Sequence, residues 1–466
     1  MIPFEKPWNC LSVNNDTDAH NSLEKIQQIT QNLEKKSIVF YGHNIDCYCA
    51  LQGLLEFGID GNLITLIEPP LGQCEKHHDI FFSDCEVDTE IMRAIINKGV
   101  TVLFGYTLTD WVLTESAVSG KKINSLLFEI KGQTKRIPCD AFFDFSDKKI
   151  NTEIFLAICR TGLVFDGRLV IDPECRTNDP NVFAVGSITK YSRKFFADSW
   201  LQKYYNNVEI GEQFAKDLRT VIDVDQSGDE TQINTQKVQN YPLLPVFRTP
   251  VIIACTLPGG YHYLHVRKPG KKIVRDVAIE HDAYGQVLVT GSCHSEIGYF
   301  RIRLNNYDTV ETVTCLNKKS FEVHHMIALY GKHESLLNEL KLQFRNSLIV
   351  DFFAYFREPW ATAIFYDKFE CFQVENRATL LSKLSIESDS LVDDCLNALK
   401  SSNWESMSKE NRRIIQEKFP GSVYHLDLEE SLIDFLQTFE DDLPMYCTPE
   451  KRRLMYADNQ ASPLFN

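Results

Sequence analysis

The chain has 466 residues and carries 64 acidic against 49 basic side chains, a net charge of −15. That balance excludes a nucleic-acid surface as its main business, because phosphate binding needs a net basic face, and no apolar run reaches the roughly 20 residues needed to cross a bilayer. Hydrophobic content of 44% with 24% charged residues is that of a globular chain with room for two or three domains at roughly 100–200 residues each.

The first residues, "MIPFEKPWNCLSVNND", have no basic stretch leading into an apolar one, so no secretory signal is read. The fourteen cysteines are scattered without a CxxC pair, as expected for reduced thiols of a cytosolic protein. Leu23, Ile26, Ile29 and Leu33 recur at helical spacing, with Asp16 or Thr17 as the cap. "SIVFYG", a helix ending at Gly58 and "LITLIEPP" then make a βαβ unit. Asp88 is expected to cap a further helix that Gly99 ends, and Val100 to Phe104 form the next strand. Antiparallel strands around Lys131-Gly132 lead back to a buried strand at "CDAFFDFS".

Residues 161–185 hold two short strands joined by a polar turn, the second being Val182 to Val185, and a helical stretch follows. The polar run 223–240 is the best linker, since it almost lacks large apolar residues. Strands with Gly turns come next, and from about 375 to 440 the pattern is helical. The fold class is therefore α/β: a degenerate Rossmann-like dinucleotide-binding domain over 1–222, then a linker over 223–240. An α+β domain over 241–445 and a loose tail over 446–466 complete it.

A dinucleotide fingerprint needs three glycines: for the tight turn, for approach to the pyrophosphate and for helix–strand packing. In Gly42-His43-Asn44-Ile45-Asp46-Cys47 only Gly42 survives. Asn44 crowds the anion, although Asn tolerates a positive φ, so the turn itself is expected to persist. Asp46 puts negative charge where a pyrophosphate would meet free amides. Glu68 stands where a ribose-binding acid would be. On the flavin side, Gly186 is followed by Ser187 and not by the Asp that would bind the ribityl chain, which removes a charge-assisted bond. Gly42, Asn44, Glu68, Gly186 and Ser187 are thus candidates for a vestigial FAD/NAD(P) site, with no catalytic residue and no bound cofactor expected.

"CEKHHDIFFSDC" (74–85) offers zinc-type ligands in no standard spacing, and no metal is expected there. His262 and His265 fall on opposite faces of a strand, and His324 and His325 are read in the same way. Cys47 and Cys49 are read as helix-packing thiols, because a disulfide between them would be strained. Among the aromatics of 349–366, Trp360 beside Arg357 is either core or an interface anchor.

The order of elements, with Thr177-Asn178-Asp179-Pro180 before an apolar segment and Gly186, resembles the back half of the pyridine nucleotide-disulfide reductase fold. Asp144-Phe145-Ser146 departs from the Ala-Thr-Gly of that fold, removing a glycine near the cofactors. "FAVGSITKYSRKFFAD", the helix around "EIGEQFA" and the α+β region after it resemble the C-terminal region of the cilia- and flagella-associated protein 61 family over about residues 1–450. The resemblance implies a non-catalytic component of the motile cilium or flagellum axoneme. It also implies partners in the calmodulin- and spoke-associated complex at the radial spoke base, with a role in ciliary and sperm motility. The alternatives from the residues themselves are an oxidoreductase using FAD or NAD(P)H, and an NAD(P)-binding sensor.

Overall fold

β1 (Cys10–Leu11), α1 (Asp16–Thr30), β2 (Ile38–Gly42), α2 (Ile45–Glu56), β3 (Ile64–Glu68), α3 (Cys85–Asn97) and β4 (Thr101–Phe104) open the chain. The meander β5 (Thr107–Ser116), β6 (Gly120–Ile130) and β7 (Gln133–Pro138) follows, and β8 (Ala141–Phe145) returns to the first sheet. The computed structural model describes residues 6–31, 36–70, 82, 84–116, 120–146, 150–222, 244–271, 285–358, 360–361, 365, 367–382, 390–401 and 408–439. The linker expected at 223–240, the tail at 446–466 and positions 74–81 and 83 of the Cys/His segment lie outside these.

The first sheet is all parallel, in the order β1-β8-β2-β3-β4. Alternation along β2 explains how it is covered. Ile38 and Phe40 enter a core with Leu51 of α2 and Ile91 of α3, whereas Val39 and Tyr41 enter a second core with Leu126 and Phe128 of the meander. Both faces of a parallel sheet are thereby dry, as such sheets require.

The helix caps differ from those expected. Asn15 caps α1 by accepting the Asp18 N–H at 2.8 Å, and Asp84 caps α3 by accepting the Glu86 N–H at 3.1 Å. Asp16, Thr17 and Asp88 lie inside the first turns, where the backbone is already helical. A cap needs an extended backbone one step earlier.

α4 (Thr152–Arg160), β9 (Leu169–Ile171), β10 (Thr189–Tyr191) and α5 (Asn207–Ile222) follow, and Ile171 of β9, Tyr191 of β10 and Phe214 of α5 share a small core. β9 and β10 pair in parallel as a two-stranded sheet. The strand expected at Val182 to Val185 is reduced to a single bridge between Arg176 and Phe183, and the pairing strand comes after the Gly186 turn instead. β11 (Val251–Leu257), β12 (Tyr261–Arg267), β13 (Gln286–Gly291), β14 (Tyr299–Leu304) and β15 (Val310–Asn317) make an antiparallel sheet in the order β11-β12-β15-β14-β13. Leu257, Tyr261, Tyr263, Tyr299 and Leu316 from it join the same core as α2 and α3.

The chain divides into two compact units, Met1–Val323 and His324–Asn466. The second is helical in its described part. The helix Val323–Ala328 carries both His324 and His325, so the strand alternation expected of them does not apply. The helices Asp367–Leu381 and Val423–Thr438 pack through Phe372 and Phe435, with ring centroids 4.8 Å apart. No helix among the described residues is long and apolar enough to cross a membrane.

Candidate cofactor cleft

The C-terminal ends of β2, β3 and β8 meet at the start of α2, where a doubly wound fold holds its ligands. Gly42 ends β2 at φ +151°, and a Cβ there would lie 2.5 Å from the Phe145 carbonyl oxygen. This position needs glycine because two strand ends touch. Asn44 has an extended backbone, φ −143°, and not the left-handed turn expected of it. It is the N-cap of α2. Its Oδ1 accepts the Cys47 N–H at 2.9 Å and its Nδ2 donates to the Phe145 carbonyl at 2.8 Å. Phe145 itself stacks on Phe40 and Phe143.

A diphosphate at a helix N-terminus binds to free backbone N–H groups. Here the Asn44 amide fills the space between helix and strand and takes one of those groups. Asp46, exposed in the first turn, adds charge of the wrong sign. The residues present do not fit a bound diphosphate at this end.

Glu68, at the end of β3, has a different setting. Its side chain is buried, accepts the Tyr48 hydroxyl at 2.9 Å and lies 3.8 Å from His43 Nε2. Burial pushes its carboxyl above the ordinary range, against the downward pull of the Tyr48 bond. Burial next to that carboxylate raises the Tyr48 phenol in turn. Glu68, Tyr48 and His43 line one wall of a cavity of about 1460 Å³, with Phe82, Met92 and Phe104 among its apolar walls. Gly42 and Asn44 do not line it, and neither do Gly186 and Ser187.

Gly186 turns at φ +94°. Its N–H donates to Gln202 Oε1 at 2.6 Å, and its carbonyl accepts the Thr189 hydroxyl at 2.8 Å. Ser187 is exposed on the same turn. The Ser146 N–H donates to Asp144 Oδ1 at 2.9 Å, closing the turn after β8. The five candidates thus fall in three places: Gly42 with Asn44 at the sealed helix end, Glu68 at the cavity, and Gly186 with Ser187 on a separate turn.

In the second unit, Trp360 is half-buried. Its ring lies 4.9 Å from Tyr355 and 6.1 Å from Phe356, and its Nε1 donates to Glu358 at 3.0 Å. Arg357 is exposed.

A polar joint was not foreseen. Along α3, Asp84 accepts the Tyr299 hydroxyl at 2.6 Å and pairs with Arg301 at 3.0 Å. Glu86 accepts the Cys293 N–H at 2.8 Å. Glu90 takes the Tyr261 hydroxyl and pairs with His294 at 2.7 Å. The only signal in the sequence was an acid at each of 84, 86 and 90, which reads equally as a solvated helix face.

Residues 245–364 match the family model described as the CFAP61 dimerisation domain. Residues 75–211 match the pyridine nucleotide-disulphide oxidoreductase model. Over 315 residues the chain is 24% identical to cilia- and flagella-associated protein 61 of Tetrahymena thermophila. The chain is related to cilia- and flagella-associated protein 61. The match takes in 65% of this chain and 18% of the Tetrahymena protein, so the chain spans well under two thirds of the length of cilia- and flagella-associated protein 61 in that organism.

Among solved structures, a covalent putidaredoxin reductase–putidaredoxin complex aligns at 16% identity over 67% of this chain and 60% of that one, with a TM-score of 0.42. An NAD-dependent persulfide reductase from A. fulgidus aligns at 13% identity over 73% and 61%, with a TM-score of 0.44.

Proposed function

We propose that the chain is a non-catalytic structural component of the motile cilium or flagellum, built on a reductase-type fold that has given up its cofactor. The single observation that supports the loss of catalysis is Asn44. Its two bonds close the helix end at which a dinucleotide phosphate would dock. The relationship to cilia- and flagella-associated protein 61 supports the ciliary role. On this reading the chain acts in the axoneme as part of the calmodulin- and spoke-associated complex at the radial spoke base, where it supports ciliary and sperm motility.

A scaffold needs faces left open for partners. α4, with the sequence "TEIFLAICR", buries only Ile158 and leaves Ile154, Phe155 and Leu156 exposed. A cluster of large apolar side chains left exposed marks an interaction site, so α4 is one such face. Arg357 with Trp360 is a second candidate, since interface anchors favour Trp and Arg. The cavity beside Glu68 supports one other reading, an NAD(P)-binding sensor without turnover.

Calorimetric titration of the purified chain with NADH and NADPH tests both. We expect no stoichiometric flavin and no dinucleotide affinity better than millimolar. Micromolar binding abolished by Glu68→Ala overturns the scaffold reading in favour of the sensor. For the partner faces, Ile154→Glu with Leu156→Glu, and Arg357→Ala with Trp360→Ala, are compared for melting temperature and for ciliary retention of the tagged chain. A folded variant that is lost from cilia identifies the docking face, and normal retention of both removes both.

A further inference from the structure

The loop that follows β10 is clamped at both ends. At its entry the Ser192 N–H donates to the Ile171 carbonyl at 2.8 Å. Beyond the short turn Arg193–Phe195, Ala197 is buried with Ile171, Cys175 and Tyr191. At its exit the buried Gln202 accepts the Gly186 N–H at 2.6 Å. Phe196 lies between the clamps in the left-handed conformation, φ +52° and ψ +36°, with its N–H bonded to the Arg193 carbonyl at 3.0 Å. It is 95% exposed, more than any other large apolar side chain among the described residues. Folding does not explain a phenylalanine here. The turn needs a positive φ, which glycine adopts freely and asparagine tolerates. A bulky side chain is strained there, and this one buries almost nothing to offset the strain.

The same loop is basic in a chain of net charge −15. Over residues 190–203 it carries Lys190, Arg193, Lys194 and Lys203, with Asp198 as its one acid. Asp166 pairs with Lys190 and lies 2.9 Å from Arg193. Lys194 and Lys203 lie over the Phe195 and Tyr204 rings, at 4.7 and 4.8 Å from the centroids. Trp200, after a turn closed by its own N–H on the Ala197 carbonyl at 2.9 Å, is also exposed. We propose that this loop is a docking site in which Phe196 enters an apolar pocket on an acidic segment of another polypeptide. The ring is the anchor, and Arg193 and Lys194 are the polar rim that selects carboxylates. The clamped backbone leaves little to order on binding. An anionic bilayer is the poorer partner, because lipid recognition takes a cluster of roughly four to eight cations and Asp166 already holds two of these. The site rests on the scaffold reading only for where the partner is met.

The test replaces Phe196 by the photoreactive p-benzoylphenylalanine in the tagged full chain, in a ciliated cell, and maps the peptides linked on irradiation. The expected product joins position 196 to an apolar residue of another polypeptide, in a peptide where Asp and Glu outnumber Lys and Arg. Adding Arg193→Glu with Lys194→Glu should cut its yield by about tenfold. Links only to lipid, only to a second copy of this chain, or only to segments without the acidic excess overturn the proposal. So does a yield no higher than that from the same probe at Tyr307, another exposed aromatic. In the purified chain, Phe196→Gly should melt no lower than the parent, because glycine relieves the strained φ. A fall of more than about 3 °C would mean that the ring serves the fold, and overturns the proposal as well. A chain linked to an acidic segment but absent from cilia refutes the ciliary reading and leaves this site standing.

Discussion

The start of α2 and the outer face of α3 belong to one unit and treat polar groups in opposite ways. At α2, Asn44 uses both ends of its amide on neighbours in its own layer, the Cys47 N–H and the Phe145 carbonyl. At α3, Asp84, Glu86 and Glu90 reach out of their layer to Tyr299, Arg301, Cys293, Tyr261 and His294. The first arrangement is a closure and the second is a joint. The difference teaches where the fold keeps its buried charge. It is absent where a diphosphate would need the helix end, and present where two sheets must stay in register.

The joint should be the more sensitive of the two. Arg301→Met removes one partner of a buried pair and leaves the Asp84 carboxylate without its cation. The expected loss is about 3–5 kcal/mol, measured by urea unfolding. Asp84→Asn combined with Arg301→Met should recover part of it, because the stranded charge is gone. A loss under about 1 kcal/mol would reduce the joint to a surface ion pair.

At the closure, Gly42→Ala places a methyl against the Phe145 backbone at a positive φ, and is expected to cost about 2–4 kcal/mol. Asn44→Ala removes a cap and one strand contact, for about 1–2 kcal/mol. Asn44→Gly should cost less and still fail to bind NADH, since Asp46 remains at the helix end. Tight NADH binding by Asn44→Gly would show that the amide alone had excluded the dinucleotide.

The smallest effect belongs to the wall of the cavity. The Glu68 carboxyl is raised in the folded protein, so the fold favours its protonated form. That contribution is complete below the unfolded value near 4.5 and is lost as pH rises through the folded value. Glu68→Gln keeps an acceptor for Tyr48 and cannot ionise. Its melting temperature should therefore fall less than that of the parent as pH rises from 4.5 towards 7. Parallel curves for the two proteins would mean that Glu68 stays charged throughout.

Much of the fold was legible because it rests on local pattern. The short apolar run in "SIVFYG", the helix read after it and the turn at Lys131-Gly132 each specify an element without help from elsewhere. Misreadings came where the signal was shared. Asp84 and Asp88 are both good caps by type, and only the path of the chain decides which stands outside the helix. Val182 to Val185 has strand composition, yet a strand needs a neighbouring edge, and the edge of β9 is taken by Thr189 to Tyr191. His324 and His325 sit in a run short enough to read as strand or helix.

The candidate site shows the same division. The sequence by itself determined that the glycine fingerprint is broken, that Gly42 survives and that an acid closes the second strand. Those are facts of residue type, and they limit what backbone the turn can present to an anion. It could not say that Asn44 would face Phe145, a hundred residues away, or that Glu68 would be held by Tyr48. Nor could it bring Asp84, at the start of α3, to Arg301 and Tyr299. Those meetings depend on how β8 returns beside β2 and how the antiparallel sheet lies on α2 and α3. Such docking is set by the packing of apolar faces summed over both layers, and no short stretch of sequence carries that sum.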